Sequence, residues 1–230
     1  MLNLPDVTLL LAGSHTRELS AMAIKSCLKS AYFGDILVFS DEEILPGKTI
    51  HVPQMNSVLD WAHFVWYDVA KFVITSHVLM IHWDSWIINE GMWTPDFLRY
   101  DYIGAPWTWE RHKYRVGNSG FSLRSKKMMD LIASNPERYV CGLPEDQRMC
   151  RLYREELESE GIVFAPEDMA ARFSYERDKD WHGSTQVWPG DNQFGFHGIF
   201  NFPFVLSEAN LKTRMDMAKA DPKIASRGFR

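Results

Sequence analysis

Residues 7–13, "VTLLLAG", are an apolar run closed by a glycine. A run without alternation, ended by a turn residue, predicts a strand buried on both faces, as in a parallel sheet. In "TRELSAMAIKSCLKSAY" (16–32) the period changes, and Leu19, Met22, Ala23 and Leu28 fall on one face of a helix. "DILVFSD" (35–41) predicts a second strand ending in acids, and "KTIHVP" (48–53) a short third. Residues 57–75 are apolar and aromatic at helical spacing, and "HVLMIHWDSWII" (77–88) predicts a fourth strand that breaks at its acidic residue. Strand, helix, strand, with polar residues gathering at strand ends, is the pattern of an open α/β sheet. Such sheets bind ligands beyond the carboxyl ends of their strands.

After Pro95 periodicity weakens. "YDYIGAPWTWERHKYRVGNSGFSLRS" (100–125) is rich in Gly, Trp and charge, and its 108–115 segment is expected to be a mobile loop. "SKKMMDLIASNP" (125–136) predicts a helix with Ser125 as N-cap. "LPEDQRMCRLYREELESEG" (143–161) predicts a helix that starts on Pro-Glu-Asp and stops on Gly. "IVFAP" predicts a short strand, and "APEDMAARFSYE" (165–176) a second helix opened by Pro-Glu-Asp. "NQFGFHGIFNFP" (192–203) is another Gly and aromatic stretch, and 207–230 predicts a helix with a tail holding six Lys or Arg against three acids. There is no internal repeat or linker, so the expectation is one domain over 1–205 with a C-terminal helix and basic tail over 206–230.

Composition narrows the function classes. The chain has 230 residues, 46% hydrophobic and 24% charged, which suits a folded domain with a sizeable core. A net charge of −5 argues against a nucleic-acid partner. Three Cys, without a CxxC pair, form neither a disulfide framework nor a zinc site, and fit a reducing, cytoplasmic setting. The first residues lack a positive n-region and a small-residue cleavage site, and no apolar run is long enough for a membrane span. All nine Trp lie between Trp61 and Trp188, as core filling or as faces on which a sugar or base stacks.

Four stretches carry chemistry. Asp84 in "LMIHWDSWII" interrupts a buried run, and an ionised carboxylate there needs a partner. A divalent cation with oxygen ligands is one such partner; a cap or ion pair is the other. "GNSGFSLRS" (117–125) lets backbone approach a ligand closely, with Asn118 offering donor and acceptor, or is simply a turn into a strand. It matches neither the dinucleotide fingerprint nor the P-loop. Glu145 and Asp146 of "PEDQ" are either favourable helix-start anions or a base for a sugar hydroxyl, and a second copy at Pro166–Asp168 weakens inference from spacing alone. His197 in "FGFHG" and His182 in "DWHGS" are each a core histidine or a ligand.

"TSHVLMIHWDSWI", "FLRYDYIGAPW", "VGNSGFSLRS", "PEDQRMCRLYREELESEGIVFAPEDMAARFSYE" and "FGFHGIFNFP", in this order, closely resemble the DUF5672 family, a bacterial group similar to GT-A-fold glycosyltransferases. The resemblance spans roughly residues 5–205. It implies a GT-A-like, Rossmann-type α/β fold, with a mixed, mainly parallel sheet flanked by helices. GT-A enzymes end a central strand in Asp-x-Asp, which holds a divalent ion against the donor diphosphate; "HWD" stands in that place, with Asp84 last and His82 where the first Asp would be. Inverting members similar to the fringe and β-1,3-galactosyltransferase groups follow with a Gly-rich stretch resembling "GNSGFSLRS". Next comes an acidic motif containing the base, resembled by Glu145 and Asp146, and then a metal-binding His, matched by His197. A neutral imidazole at position 82 suits Mn²⁺ better than Mg²⁺. The family more often has "QWDG" and "GNGG", so Ser85 and Ser119 are expected to narrow the space near the sugar.

The resulting expectation is a divalent-metal-dependent, inverting glycosyltransferase. Its donor is a nucleotide-diphosphate sugar, UDP-sugar foremost, and its acceptor a glycan or lipid-linked glycan of a bacterial surface polysaccharide. Metal is expected on Asp84, His197 and His82, and acid–base work on Asp146 and Glu145. Ala12, Gly13, Asp41, Asp84, Asn118 and Gly120 are expected around the donor, with Trp107 as a stacking platform. The basic tail at 212–230 is expected to be a solvated helix face, with peripheral contact to an anionic membrane as the alternative. A retaining mechanism, a non-catalytic glycan- or nucleotide-binding module and, last, a metal-dependent phosphoester hydrolase are the rival readings.

Overall fold

Strand β1 (Leu2–Ala12) runs through the middle of the molecule, and the computed structural model describes residues 1–13, 17–107, 112–176 and 192–225 around it. With β2 (Ala31–Ser40), β3 (Lys48–His51) and β4 (His77–Ile81) it forms the parallel part of the main sheet; β5 (Ser85–Ile87) leaves that sheet, and β6 (Tyr102–Ile103) and β7 (Phe121–Ser125) complete it. The strand order is β3-β2-β1-β4-β7-β6, six strands with β7 antiparallel to both neighbours. The expected mixed, mainly parallel sheet is present.

Strand geometry sends alternate side chains to opposite faces, and both faces are covered. Leu9, Leu11, Leu79 and Ile81 point toward helix α1 (Arg17–Leu28), which contributes Ala23, Ile24 and Cys27 to the same core. Leu10, Ala12, Val78 and Met80 point the other way, toward helices α2 (Val58–Tyr67) and α3 (Lys126–Ala133) through Val65 and Met129. Two-sided burial is why these strands read as continuous apolar runs. Helix α2 starts on a capping box in which Ser57 Oγ accepts from Asp60 N and Asp60 Oδ2 accepts from Ser57 N. Ser125 caps α3 as expected, its Oγ accepting from Met128 N at 3.0 Å.

Three elements differ from expectation. The run over 143–161 is not one helix: α4 (Glu145–Gln147) passes into a π turn at Arg148–Leu152, and α5 (Arg154–Ser159) resumes after Tyr153. "IVFAP" makes only a single bridge, Phe164 to Tyr102. Helix α6 (Glu167–Phe173) stops at the β-prone end of its segment, and β8 (Ser174–Glu176) follows directly.

The break at Asp84 is the feature that builds the site. After His82–Asp84 the chain enters β5, which joins a second sheet of order β5-β9-β8, where β9 is Gly195–His197. Ser85 lies opposite His197, and Glu176 is in register with His197 on the other side. Beyond β9 lie α7 (Phe202–Val205), α8 (Glu208–Ala220) and α9 (Pro222–Ala225). Helix α8 returns to α1, where Ala218 and Ile224 cluster with Leu19. His182, residues 108–111 of the expected loop and the tail beyond residue 225 lie outside the described residues.

Candidate active site

His82, Asp84 and His197 each direct a ligand-type atom to one point at the carboxyl end of β4, with those atoms within 4.8 Å of one another. Asp84 Oδ1 is buried and has no hydrogen-bond partner among the described residues. It lies 3.5 Å from His197 Nε2. On the far side of the ring, His197 Nδ1 is 2.9 Å from Glu176 Oε1. Burial by itself would lower the His197 pKa, but the negative charges of Asp84 and then Glu176 hold it well above the usual imidazole value. Burial would raise the Asp84 carboxyl, but His197 and then His82 hold it below its ordinary range. A buried carboxylate oxygen lacking a hydrogen-bond donor, beside two imidazoles, fits a divalent cation. Nitrogen donors favour Mn²⁺ over Mg²⁺. For His197 Nε2 to ligate, Nδ1 must carry the ring proton and donate it to Glu176, the usual carboxylate–histidine–metal arrangement.

The glycine-rich loop holds this cluster in place. Asn118 has φ of 74°, and its Oδ1 accepts from Gly120 N at 2.8 Å and Phe121 N at 3.1 Å. With Oδ1 so engaged, Nδ2 faces His197 Nδ1 at 3.0 Å. Tyr102 fixes the same residue by donating its hydroxyl to the Asn118 carbonyl at 2.6 Å. The carbonyl of Gly120 accepts from His82 N and, at 2.6 Å, from Ser85 Oγ. Ser85 Oγ in turn accepts from His82 N at 2.8 Å. Ser85 is fully buried and braces the turn, so its hydroxyl does not narrow a sugar pocket as expected.

Asp146 and Glu145 are adjacent in sequence and differ in environment. Glu145 is buried, with Oε1 accepting from the buried Arg124 Nη1 at 2.9 Å and Oε2 accepting from Ser119 Oγ. Ser119 is thus occupied with Glu145, again not with the space near a sugar. Among the described residues Asp146 has no ion pair with a cation, and Arg124 acts on it only weakly, through its charge. Desolvation first, then the charges of Glu145 and Glu176, push its pKa up to about 7, although Gln147 N donates to Oδ1. A carboxyl poised there is half ionised at neutral pH, which suits a general base. Sequence reasoning missed Glu176, Arg124 and Tyr102. Arg124 was detectable, because a charge inside the strand-like "GFSLRS" demands a buried partner just as Asp84 does.

Beside the cluster opens a cleft of about 640 Å³, its mouth included, lined by Ala12, Gly13, Ser57, Trp61, His82 and Trp83 among others. Trp61 forms one wall, donating Nε1 to the Ala12 carbonyl at 3.0 Å and meeting the His82 ring edge-on at 5.1 Å. Ala12 and Gly13, expected around the donor, line this cleft. Asp41, just past β2, is not among the lining residues. Trp107 is corrected more sharply: it is buried, with the Arg151 guanidinium 4.2 Å above its ring and Gly117 against its edge, so it presents no open stacking face.

Comparison with known proteins agrees with this architecture. The galactosyltransferase LgtC, solved with donor and acceptor sugar analogues, superposes with a TM-score of 0.53 at 14% identity, covering 83% of this chain and 86% of that one. An active-site mutant of LgtC gives 0.52 at 12% identity, covering 94% and 96%. A glycosyltransferase involved in glycosylation of the major capsid of PBCV-1 gives 0.49 at 11%, covering 92% and 98%. At these identities the LgtC likenesses speak for the fold, which is that of GT-A glycosyltransferases. Among curated proteins no match is found. Residues 53–197, which hold Trp61 of the cleft and all three residues of the cluster, match the family model described as "Protein of unknown function (DUF5672)", and the chain belongs to that family.

Proposed function

We propose that this protein is a glycosyltransferase that moves a sugar from a nucleotide-diphosphate donor to a glycan hydroxyl with inversion. The observation that carries the reading is the convergence of Asp84, His82 and His197 at the edge of the cleft formed by Ala12, Gly13 and Trp61. Asp84, His197 and His82 would hold a divalent cation, Mn²⁺ in preference to Mg²⁺, which when bound neutralises charge on the leaving diphosphate. Glu176 orients His197, and Ser85 and Gly120 orient His82. Asp146 takes the proton of the acceptor hydroxyl. The freed oxygen pair attacks the anomeric carbon while the bond to the diphosphate breaks, its electrons leaving with the nucleoside diphosphate. Glu145, ion-paired with Arg124, is a positioning residue that keeps α4 and the Gly-rich loop together, and its negative charge helps raise the Asp146 carboxyl. The role of Asp146 rests on its raised pKa and on the sequence resemblance to inverting enzymes.

Among the described residues no helix is long and apolar enough to cross a membrane. The test is a thermal-shift panel of UDP-, GDP-, CMP- and dTDP-sugars with and without Mn²⁺. A donor raises the unfolding midpoint by mass action. A shift for one nucleotide class that needs Mn²⁺ is the expected result. No shift with any donor under any metal overturns the reading. Product anomericity by NMR then tests inversion.

A further inference from the structure

Arg214 of α8 is buried at 7% exposure, yet no carboxylate among the described residues is paired with it. Its guanidinium lies 4.3 Å over the Trp86 ring, and Nη2 donates to Ser26 Oγ at 3.3 Å. Nη1 is buried and has no hydrogen-bond partner among the described residues. Burying a cation in this way is costly unless an anion joins it. Arg214 lines a groove of about 570 Å³, mouth included, between α1 and α8, together with Lys25, Ser26, Lys29, Asn210 and Thr213. Every charged residue lining it is basic. The hydroxyls of Ser26 and Thr213 already donate to Met22 O and Ala209 O, so the donors left to a ligand are the two lysines, Asn210 Nδ2 and Arg214.

We propose that this groove is a binding site for a phosphate-class oxyanion, held by Lys25, Lys29 and Arg214. Planar guanidinium and ammonium donors around one opening suit tetrahedral oxygens, and charge-assisted hydrogen bonds are the strong kind. Stacking on Trp86 holds the guanidinium plane before a ligand arrives. The two openings lie along the same helix, with Ser20 of the cleft and Met22 of the groove two positions apart on α1. The groove shares no lining residue with the donor cleft. The inference is therefore independent of the glycosyltransferase reading. The anion has two chemical sources, a soluble phosphate or the headgroup of an anionic lipid, and the groove chemistry is common to both.

The test titrates the full chain with inorganic phosphate by calorimetry, with chelator present to keep metal from the cluster. In parallel, sedimentation is measured with phosphatidylglycerol and with phosphatidylcholine vesicles. The doubly substituted Lys25→Gln/Lys29→Gln protein changes two exposed side chains and is expected to keep the wild-type unfolding midpoint. It should bind phosphate or anionic vesicles about tenfold more weakly, a loss typical of charge-assisted contacts. Arg214→Lys, which keeps charge but loses the planar fork, should also weaken binding. Saturable binding of phosphate identifies a soluble ligand, and binding only to phosphatidylglycerol vesicles identifies a lipid headgroup; either supports the site. No binding to phosphate or vesicles by the wild-type chain, or equal binding by wild type and the double variant, overturns it.

Discussion

His197 occupies the space in which residue 120 would carry a side chain. A Cβ built on Gly120 comes within 2.1 Å of His197 Cδ2 and 2.2 Å of its Nε2. The glycine is therefore required by the imidazole, not by backbone conformation, since Gly120 has no positive φ. Gly120→Ala should push His197 away from Asp84 and cost about 1–3 kcal/mol of stability through overpacking. Urea unfolding measures the cost, and an Mn²⁺ titration should show that the variant has lost metal binding while its circular dichroism stays native. Wild-type metal affinity in the alanine variant would exclude His197 as a ligand.

Glu176 acts one step further out. Its Oε1 faces His197 Nδ1 at 2.9 Å, so it selects the tautomer that leaves Nε2 free. Glu176→Gln removes the charge and keeps the shape. Metal affinity should fall by about 10–100-fold, the usual effect of losing a carboxylate behind a ligating histidine. Calorimetry with Mn²⁺ reads this directly. An unchanged affinity would mean that His197 takes no part through Nε2.

The Arg124–Glu145 pair is almost fully buried and stands between the main sheet and α4. Removing one partner strands the other charge, so Glu145→Gln should lose about 3–5 kcal/mol in equilibrium unfolding. Substituting both residues with Met should restore at least half of that loss, because the desolvated ions are then both gone. If the double variant is as unstable as the single one, the pair is needed for the shape of the loop, through the Ser119 and Ser122 contacts to it.

The legible parts of this protein are those where burial alone determines residue type. Residues 7–12, 35–40 and 77–81 read as strands because both of their faces are covered, and α1 and α2 read as helices because one face is. Asp84 was legible for the complementary reason, as a charge where burial forbids one without a partner. What stayed hidden depends on pairing across the chain. Nothing local tells that the run 77–88 serves two sheets, or that Ser85 lies opposite His197. Glu176 was concealed at the end of a helical pattern that the structure ends at Phe173. The roles of Ser85, Ser119 and Trp107 were misread because a hydroxyl or an indole has the same local signature on a pocket wall as in a buried network.

Asp146 joins the candidate chemistry to pH. Its carboxyl is raised to about 7 in the fold, against 3.8 in an exposed chain. The unfolded protein thus releases this proton near pH 4, while the folded protein keeps it to about pH 7. Between those values the folded state binds more protons, so stability from this group falls as pH rises and levels off above pH 7. The loss across the window is on the order of 2–4 kcal/mol. Asp146→Asn removes the titration. The variant should be more stable than wild type at pH 8, with the difference shrinking toward pH 4, because only the wild type then regains its proton. Transfer should be abolished at every pH while donor-induced thermal shifts persist. In the wild type, the transfer rate should rise with pH through about 7 as the base ionises. Urea unfolding at pH 5 and pH 8, with a pH–rate profile, separates the two effects. A variant that transfers sugar at the wild-type rate would move the base elsewhere, and one no more stable at pH 8 than wild type would show that Asp146 is already ionised well below neutrality.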